Sequence, residues 1–155
     1  MNKPFWINKT PGLLTYLEFL SKLFPNSKCI HIIRDGRDVA VSNLSLHWGP
    51  STVRQAARRW RDQIIEGRKR ANRSDIAYME VLYEDLIKQP RSVLRRTYEF
   101  LEVQDASETA PGVAVYENRK EVWRSKLTPA DRRVFAREAG ELLIELGYEK
   151  DDNWV

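Results

Sequence analysis

Cysteine, histidine and glycine are all scarce in this chain. Cys29 is the single cysteine among 155 residues, so no disulfide framework is available, and a reducing compartment fits. The two histidines, His31 and His47, fall inside an apolar run and near a helix end. Cys29 and His31 on one strand face are too few ligands for a zinc site, and no metal is expected. No stretch of about 18 apolar residues occurs, which leaves no candidate membrane-crossing helix. A basic segment followed by an apolar core is also missing at the start, so no signal peptide is evident. The expected location is cytoplasmic if the chain is complete, and open if a targeting segment has been removed. Glycines number seven, the first being Gly12, and no G-x-x-x-x-G-K-S/T loop is present. Internal repeats and low-complexity tracts are absent as well.

What remains is a basic, moderately apolar chain. Its 26 Lys and Arg against 22 Asp and Glu give a net charge of +4, and 42% of residues are hydrophobic. The length predicts one domain over residues 1–155, with enough apolar content for a core. The basic excess gathers between residues 54 and 73, where Arg54, Arg58, Arg59, Arg61, Arg68, Lys69, Arg70 and Arg73 face only Asp62 and Glu66. Such a helix either steers anionic ligands or acidic peptides, or is a solvated face. Nucleic-acid binding would call for aromatics interleaved with the charges. Trp60 is the one aromatic there, and its spacing to Ala56 and Ile64 puts it on the core face. Nucleic acid is therefore not an expected partner.

The chain reads as strands alternating with helices. Thr10-Pro11 predicts an N-cap with proline at the first helical position, and Leu13, Leu17, Leu20 and Phe24 then recur at helical spacing until Pro25-Asn26. Cys29 to Ile33 is a near-continuous apolar run, which predicts a strand covered on both faces. A helix carries Val39, Ala40, Asn43 and Leu44 and stops at Gly49-Pro50; a long one runs from about Thr52 to Ala71. Ala77 to Leu82 is the second strand. Pro90 opens a helix with Val93, Leu94, Thr97, Tyr98 and Leu101 inward; residues 103–127 read as irregular. Thr128-Pro129-Ala130-Asp131 predicts a capping box, and the last helix ends near Leu146 with Gly147 as its C′ residue. This alternation predicts an α/β layered fold with a parallel sheet. Two strands are few for a free-standing sheet, which suggests that N-terminal strands are missing. An exposed sheet edge of that kind could pair with another chain.

The most informative stretch is Lys28 to His47. Its apolar strand ends in Arg34-Asp35-Gly36-Arg37, and a helix carrying Ser42 follows. An arginine at a strand end, beside a helix N-terminus, suits a phosphate: it adds a forked donor to free backbone N–H groups and a positive dipole end. Ser42 stands eight positions after Arg34 and can add a hydroxyl donor. The competing reading pairs Arg34 with Asp35 or Asp38 and makes Ser42 a small packing residue.

This segment resembles the 3′-phosphate-binding segment of sulfotransferases that use 3′-phosphoadenosine 5′-phosphosulfate (PAPS), with Arg34 and Ser42 on its two key positions. Asn8-Lys9-Thr10-Pro11 is similar to the upstream lysine motif of those families, Tyr83-Glu84-Asp85-Leu86 to their Y-E-D-L segment, and Leu146-Gly147-Tyr148 to their C-terminal L-G-Y. Tyrosylprotein sulfotransferases and related bacterial sulfotransferases look closest, from the spacing of Lys9 to Arg34. The resemblance spans about Trp6 to Tyr148. It implies a three-layer parallel-sheet fold of the P-loop NTPase type, incomplete at its N-terminus, because the family's glycine-rich 5′-phosphosulfate loop and its general base lie upstream of the Lys9 motif.

The resemblance also implies roles. Arg34 and Ser42 would bind the 3′-phosphate. Lys9 would lie over the phosphosulfate and stabilise the leaving phosphate and the sulfuryl group, unless it is a solvated lysine. Tyr83 would contact the adenine, unless it is a core tyrosine, while Glu84 and Asp85 brace the next turn. A late loop would close over the nucleotide with Arg119, Lys120, Trp123 and Lys126. Glu121-Val122-Trp123 replaces the Ser-Lys-Trp of tyrosylprotein sulfotransferases, and Leu46 stands where some relatives carry another arginine. The expected function is sulfuryl transfer from PAPS to a hydroxyl or amine, this chain supplying the 3′-phosphate and adenine half-site. The alternative is a truncated, non-catalytic nucleotide-binding or scaffold protein. A small-molecule, carbohydrate or peptide acceptor would be shaped by residues 45–55 and 103–127.

Overall fold

A computed structural model describes residues 6–108, 121–151 and 153–155. A 3-10 turn over Pro11–Tyr16 leads into α1 (Leu17–Leu23), then β1 (Lys28–Ile33), α2 (Gly36–Leu44) and α3 (Val53–Asn72). β2 (Ala77–Leu82) passes directly into α4 (Tyr83–Lys88), followed by α5 (Pro90–Leu101), α6 (Trp123–Lys126) and α7 (Pro129–Glu145). Among the described residues the sheet has two strands. β1 and β2 pair in parallel, in register from Lys28↔Ala77 to Ile33↔Leu82. Parallel neighbours need a crossover, and α2 with α3 supplies it.

The core lies between β1, α2, α3 and α7. Ile33, Ala40, Trp60, Ile64, Phe135 and Leu143 meet there. Small residues let the two long helices approach closely: Ala56 and Ala57 on α3, Ala139 and Gly140 on α7, all buried. A second cluster joins Leu17, Ala71 and Ile76 to the partly buried Cys29 and Tyr78. α3 carries the expected inward face of Ala56, Trp60 and Ile64. The Thr128 capping box forms in full, with the Asp131 carboxylate accepting from the Thr128 N–H.

Several expectations are corrected. Thr10 stands at the N-cap and Pro11 at the first helical position as expected, but the turn is 3-10 and the Thr10 hydroxyl donates to Asn8 Oδ1 instead of capping it. The helix that begins at Leu17 ends at Leu23, and the exposed Phe24 lies against Trp6 with ring centroids 6.1 Å apart. β1 is not covered on both faces, since Ile32 is 55% exposed. On α5 the five positions expected inward are the covered ones, Val93 buried and Leu94, Thr97, Tyr98 and Leu101 half-buried. The segment 103–127 holds the short α6, and its residues 109–120, with Arg119 and Lys120, lie outside the described residues.

Candidate functional site

Register sets the site. Because Ile33 pairs with Leu82, the chain leaves two neighbouring parallel strands at the same edge, through Arg34 and Tyr83. The Arg34 guanidinium carbon sits 5.3 Å from the Tyr83 ring centroid, at cation–π distance. Arg34 Nη2 also pairs with Asp38 Oδ2 at 3.2 Å; its side chain is 26% exposed, against 2% for Asp38. The ion pair that the sequence offered as a competing reading is therefore present, and it leaves the arginine at the surface. Open α/β sheets collect ligands at this edge, beyond the carboxyl ends of their strands.

The turn that carries Arg34 is held from four sides. Asp35 caps α2, its carboxylate accepting from the Arg37 N–H at 2.9 Å. Gly36 is required by contact: a Cβ there would lie 2.4 Å from the Trp60 ring. Trp60 in turn donates its indole N–H to the Arg34 carbonyl at 3.1 Å. Glu84 accepts from the Asp35 N–H through Oε1, at 3.1 Å, and from the Tyr148 hydroxyl through Oε2, at 2.7 Å. Burial, and then the adjacent Glu84 carboxylate, push the Tyr148 hydroxyl above its ordinary pKa, so it stays a donor. Gly147, at φ 77°, turns the chain out of α7 and lets Tyr148 reach Glu84. Tyr83-Glu84 and Gly147-Tyr148 thus meet at the Arg34 turn, which Glu84 braces rather than the turn that follows Tyr83.

Arg37 is the residue that sequence reasoning missed. It is 2% exposed, pairs with Asp35 through Nη2 at 2.7 Å and bonds Glu149 through Nη1. Its guanidinium lies 3.9 Å from the Trp123 ring centroid and 4.7 Å from that of Trp154. Burial pulls its pKa down, but Asp35 and Glu149 outweigh this and the net shift is upward. Apart from Asp35, its partners Glu149, Trp123 and Trp154 lie far along the chain, so nothing local in the sequence announces the enclosure. Trp123 is fully buried under Arg37 and is not available to a ligand. Asp38 is the second omission. Its carboxylate accepts from the Glu121 and Trp123 backbone N–H groups, both at 3.0 Å, and so fixes the start of α6.

The other expected site residues are not gathered at Arg34. Ser42 is exposed on the last turn of α2, and among the described residues its hydroxyl makes no hydrogen bond. Lys9 lies on the exposed stretch before the 3-10 turn. Lys126 is exposed at the end of α6. His31 sits in β1, its Nδ1 at 2.7 Å from the Tyr78 hydroxyl; that hydroxyl donates to Glu80, so His31 donates to it. His47 is exposed. The basic helix is neither a free surface nor merely solvated. Arg54 and Arg58 pair with Glu138 on α7, and Arg68 grips Glu80 through two nitrogens, both at 2.8 Å, while bonding Glu145.

Comparison with known proteins gives the family. The Sulfotransferase family profile matches residues 1–107. Over 162 aligned residues the chain is 26% identical to an omega-hydroxy-beta-dihydromenaquinone-9 sulfotransferase of Mycobacterium tuberculosis, with 93% of this chain and 41% of that protein covered. Two protein-tyrosine sulfotransferases are each 30% identical. The one from Caenorhabditis elegans aligns with 64% of this chain and 28% of its own length. For the one from Drosophila melanogaster the shares are 64% and 21%. The chain spans less than half the length of these relatives. On the match over residues 1–107, the chain belongs to the sulfotransferase family.

Proposed function

We propose that this chain supplies the half-site that holds the 3′-phosphate and adenine of PAPS, in sulfuryl transfer to a hydroxyl or amine acceptor. One observation carries the reading: Arg34 and Tyr83 leave adjacent parallel strands side by side, a fixed cation against an aromatic ring, at the head of α2. A phosphate on Arg34 would meet a charge-assisted donor, with Ser42 further along the same helix. A purine beside it would find the Tyr83 ring. The donor brings an activated sulfuryl group; sulfuryl transfer, like phosphoryl transfer, asks the protein for in-line positioning and positive charge. In this reading Lys9 supplies such charge. The acceptor is a small molecule, a carbohydrate or a peptide, in keeping with relatives named for a hydroxylated dihydromenaquinone and for protein tyrosine. The three-layer sheet and self-association through an exposed sheet edge belong to the same reading.

Isothermal calorimetry of adenosine 3′,5′-bisphosphate, with 5′-AMP as control, tests it. The expected outcome is preference for the 3′-phosphorylated ligand. Arg34→Ala should lower its affinity at least tenfold, and Ser42→Ala by roughly three- to tenfold. Equal affinity for both nucleotides would remove the half-site. A second reading, a truncated nucleotide-binding or scaffold protein without turnover, keeps the same half-site. A PAPS turnover assay on the same chain separates the two.

A further inference from the structure

Asp38 is the place where two parts of the site share one carboxylate. Its Oδ2 accepts from Arg34 Nη2 at 3.2 Å and from the Glu121 N–H at 3.0 Å, while Oδ1 accepts from the Trp123 N–H at 3.0 Å. The side chain is almost wholly buried, so each of these donors is needed to offset the cost of burying the charge. Glu121 holds a left-handed backbone, φ 54°, that a non-glycine residue adopts only at a cost, and the grip of Asp38 on its N–H stabilises that bend. One rigid group thus sets both the direction of the Arg34 guanidinium and the path of the chain into α6.

Resting on the half-site reading above, we propose that Asp38 is a positioning residue that couples 3′-phosphate binding at Arg34 to the order of residues 121–126. A phosphate that draws on Arg34 must also be felt at the Glu121 and Trp123 amides, and by reciprocity a well-formed α6 start favours the phosphate-binding pose of Arg34. Asp38→Asn keeps the size but exchanges one acceptor oxygen for a donor, which opposes the donors now facing it.

The test is calorimetry of adenosine 3′,5′-bisphosphate and 5′-AMP on wild type, Asp38→Asn, Arg34→Ala and the double variant. Amide hydrogen exchange of residues 121–126 is read with and without the bisphosphate. In wild type the bisphosphate should slow exchange at Glu121 and Trp123 about tenfold. Asp38→Asn should reduce the preference for the bisphosphate over 5′-AMP about tenfold. In the Arg34→Ala background the same change should have no further effect on that preference. A purely structural role would weaken both nucleotides alike, and that result overturns the proposal. So does unchanged exchange at Glu121 and Trp123 on ligand binding to wild type, a measurement that stands even if Asp38→Asn does not fold. If wild type itself shows no preference for the 3′-phosphate, the half-site reading fails and this coupling fails with it. A preference retained in Asp38→Asn sinks the coupling alone.

Discussion

Arg34 and Arg37 stand on one short turn and live in opposite surroundings. Arg34 is partly open and pairs with Asp38; Arg37 is enclosed by Asp35, Glu149, Trp123 and Trp154. Removing the buried cation leaves two carboxylates facing apolar rings. Arg37→Met should therefore destabilise the fold by about 3 kcal/mol or more, read from urea denaturation. His31 gives a second residue-scale prediction. Burial lowers its pKa below the ordinary 6.5, against the raising pull of Glu80 and alongside the lowering effect of Arg68. Burial alone would raise Glu80, but Arg68 and the Tyr78 hydroxyl hold its pKa below the ordinary 4.5. A folded-state pKa below the unfolded one means stability that is complete above the unfolded value and lost as pH falls. Melting temperature should thus decline in two stages, below about 6.5 and again below about 4.5. His31→Gln, which still donates to Tyr78, should flatten the upper stage and leave the lower one. An unchanged upper stage would assign it to another group.

At the scale of elements, two glycines make a contrasting pair. A methyl group on Gly36 would strike the rigid Trp60 indole at 2.4 Å, whereas one on Gly67 would meet the mobile end of Leu14 at 2.6 Å. Gly36→Ala should cost about 1–3 kcal/mol and weaken the bisphosphate as well, since Trp60 holds the Arg34 carbonyl. Gly67→Ala should be close to neutral, because gained helix propensity of up to about 1 kcal/mol offsets the contact. Thermal melts of the two variants check the contrast. Thr128→Ala, which removes the capping box of α7, should lower stability by about 1 kcal/mol in the same assay. The same elements show what the sequence could disclose. α3 and α7 were legible because their small and apolar residues repeat at helical spacing between recognisable caps. α4 and α6 were not. α4 begins where β2 ends, with no cap side chain, and α6 is started by Asp38, which lies 85 residues from Trp123 in sequence. The Arg34 turn was legible from its own residues. The closure of Glu84 and Tyr148 around it was not, since it depends on which strands become neighbours.

For the molecule as a whole, charge and apolar surface are unevenly used. The arginines of α3 are largely engaged by α7 and β2. Exposed apolar side chains instead gather in the first helical stretch: Tyr16, Phe19 and Leu23 follow one another at helical spacing, with Trp6 against Phe24. Contiguous apolar surface of this kind binds hydrophobic dyes in the native state. The chain should therefore enhance the fluorescence of an anilinonaphthalene dye at neutral pH, and Phe19→Glu with Leu23→Glu should reduce it by roughly half while the circular dichroism stays native. The enclosure of Arg37 also bears on synthesis. Its second carboxylate, Glu149, emerges 112 residues later, which at roughly 5–20 residues per second is a delay on the order of ten seconds. Throughout that interval the ribosome holds out a turn with its cation present and half its cage unmade. The end of the sheet that carries Arg34 can be assembled early, but it is locked only once the residues beyond α7 have left the tunnel.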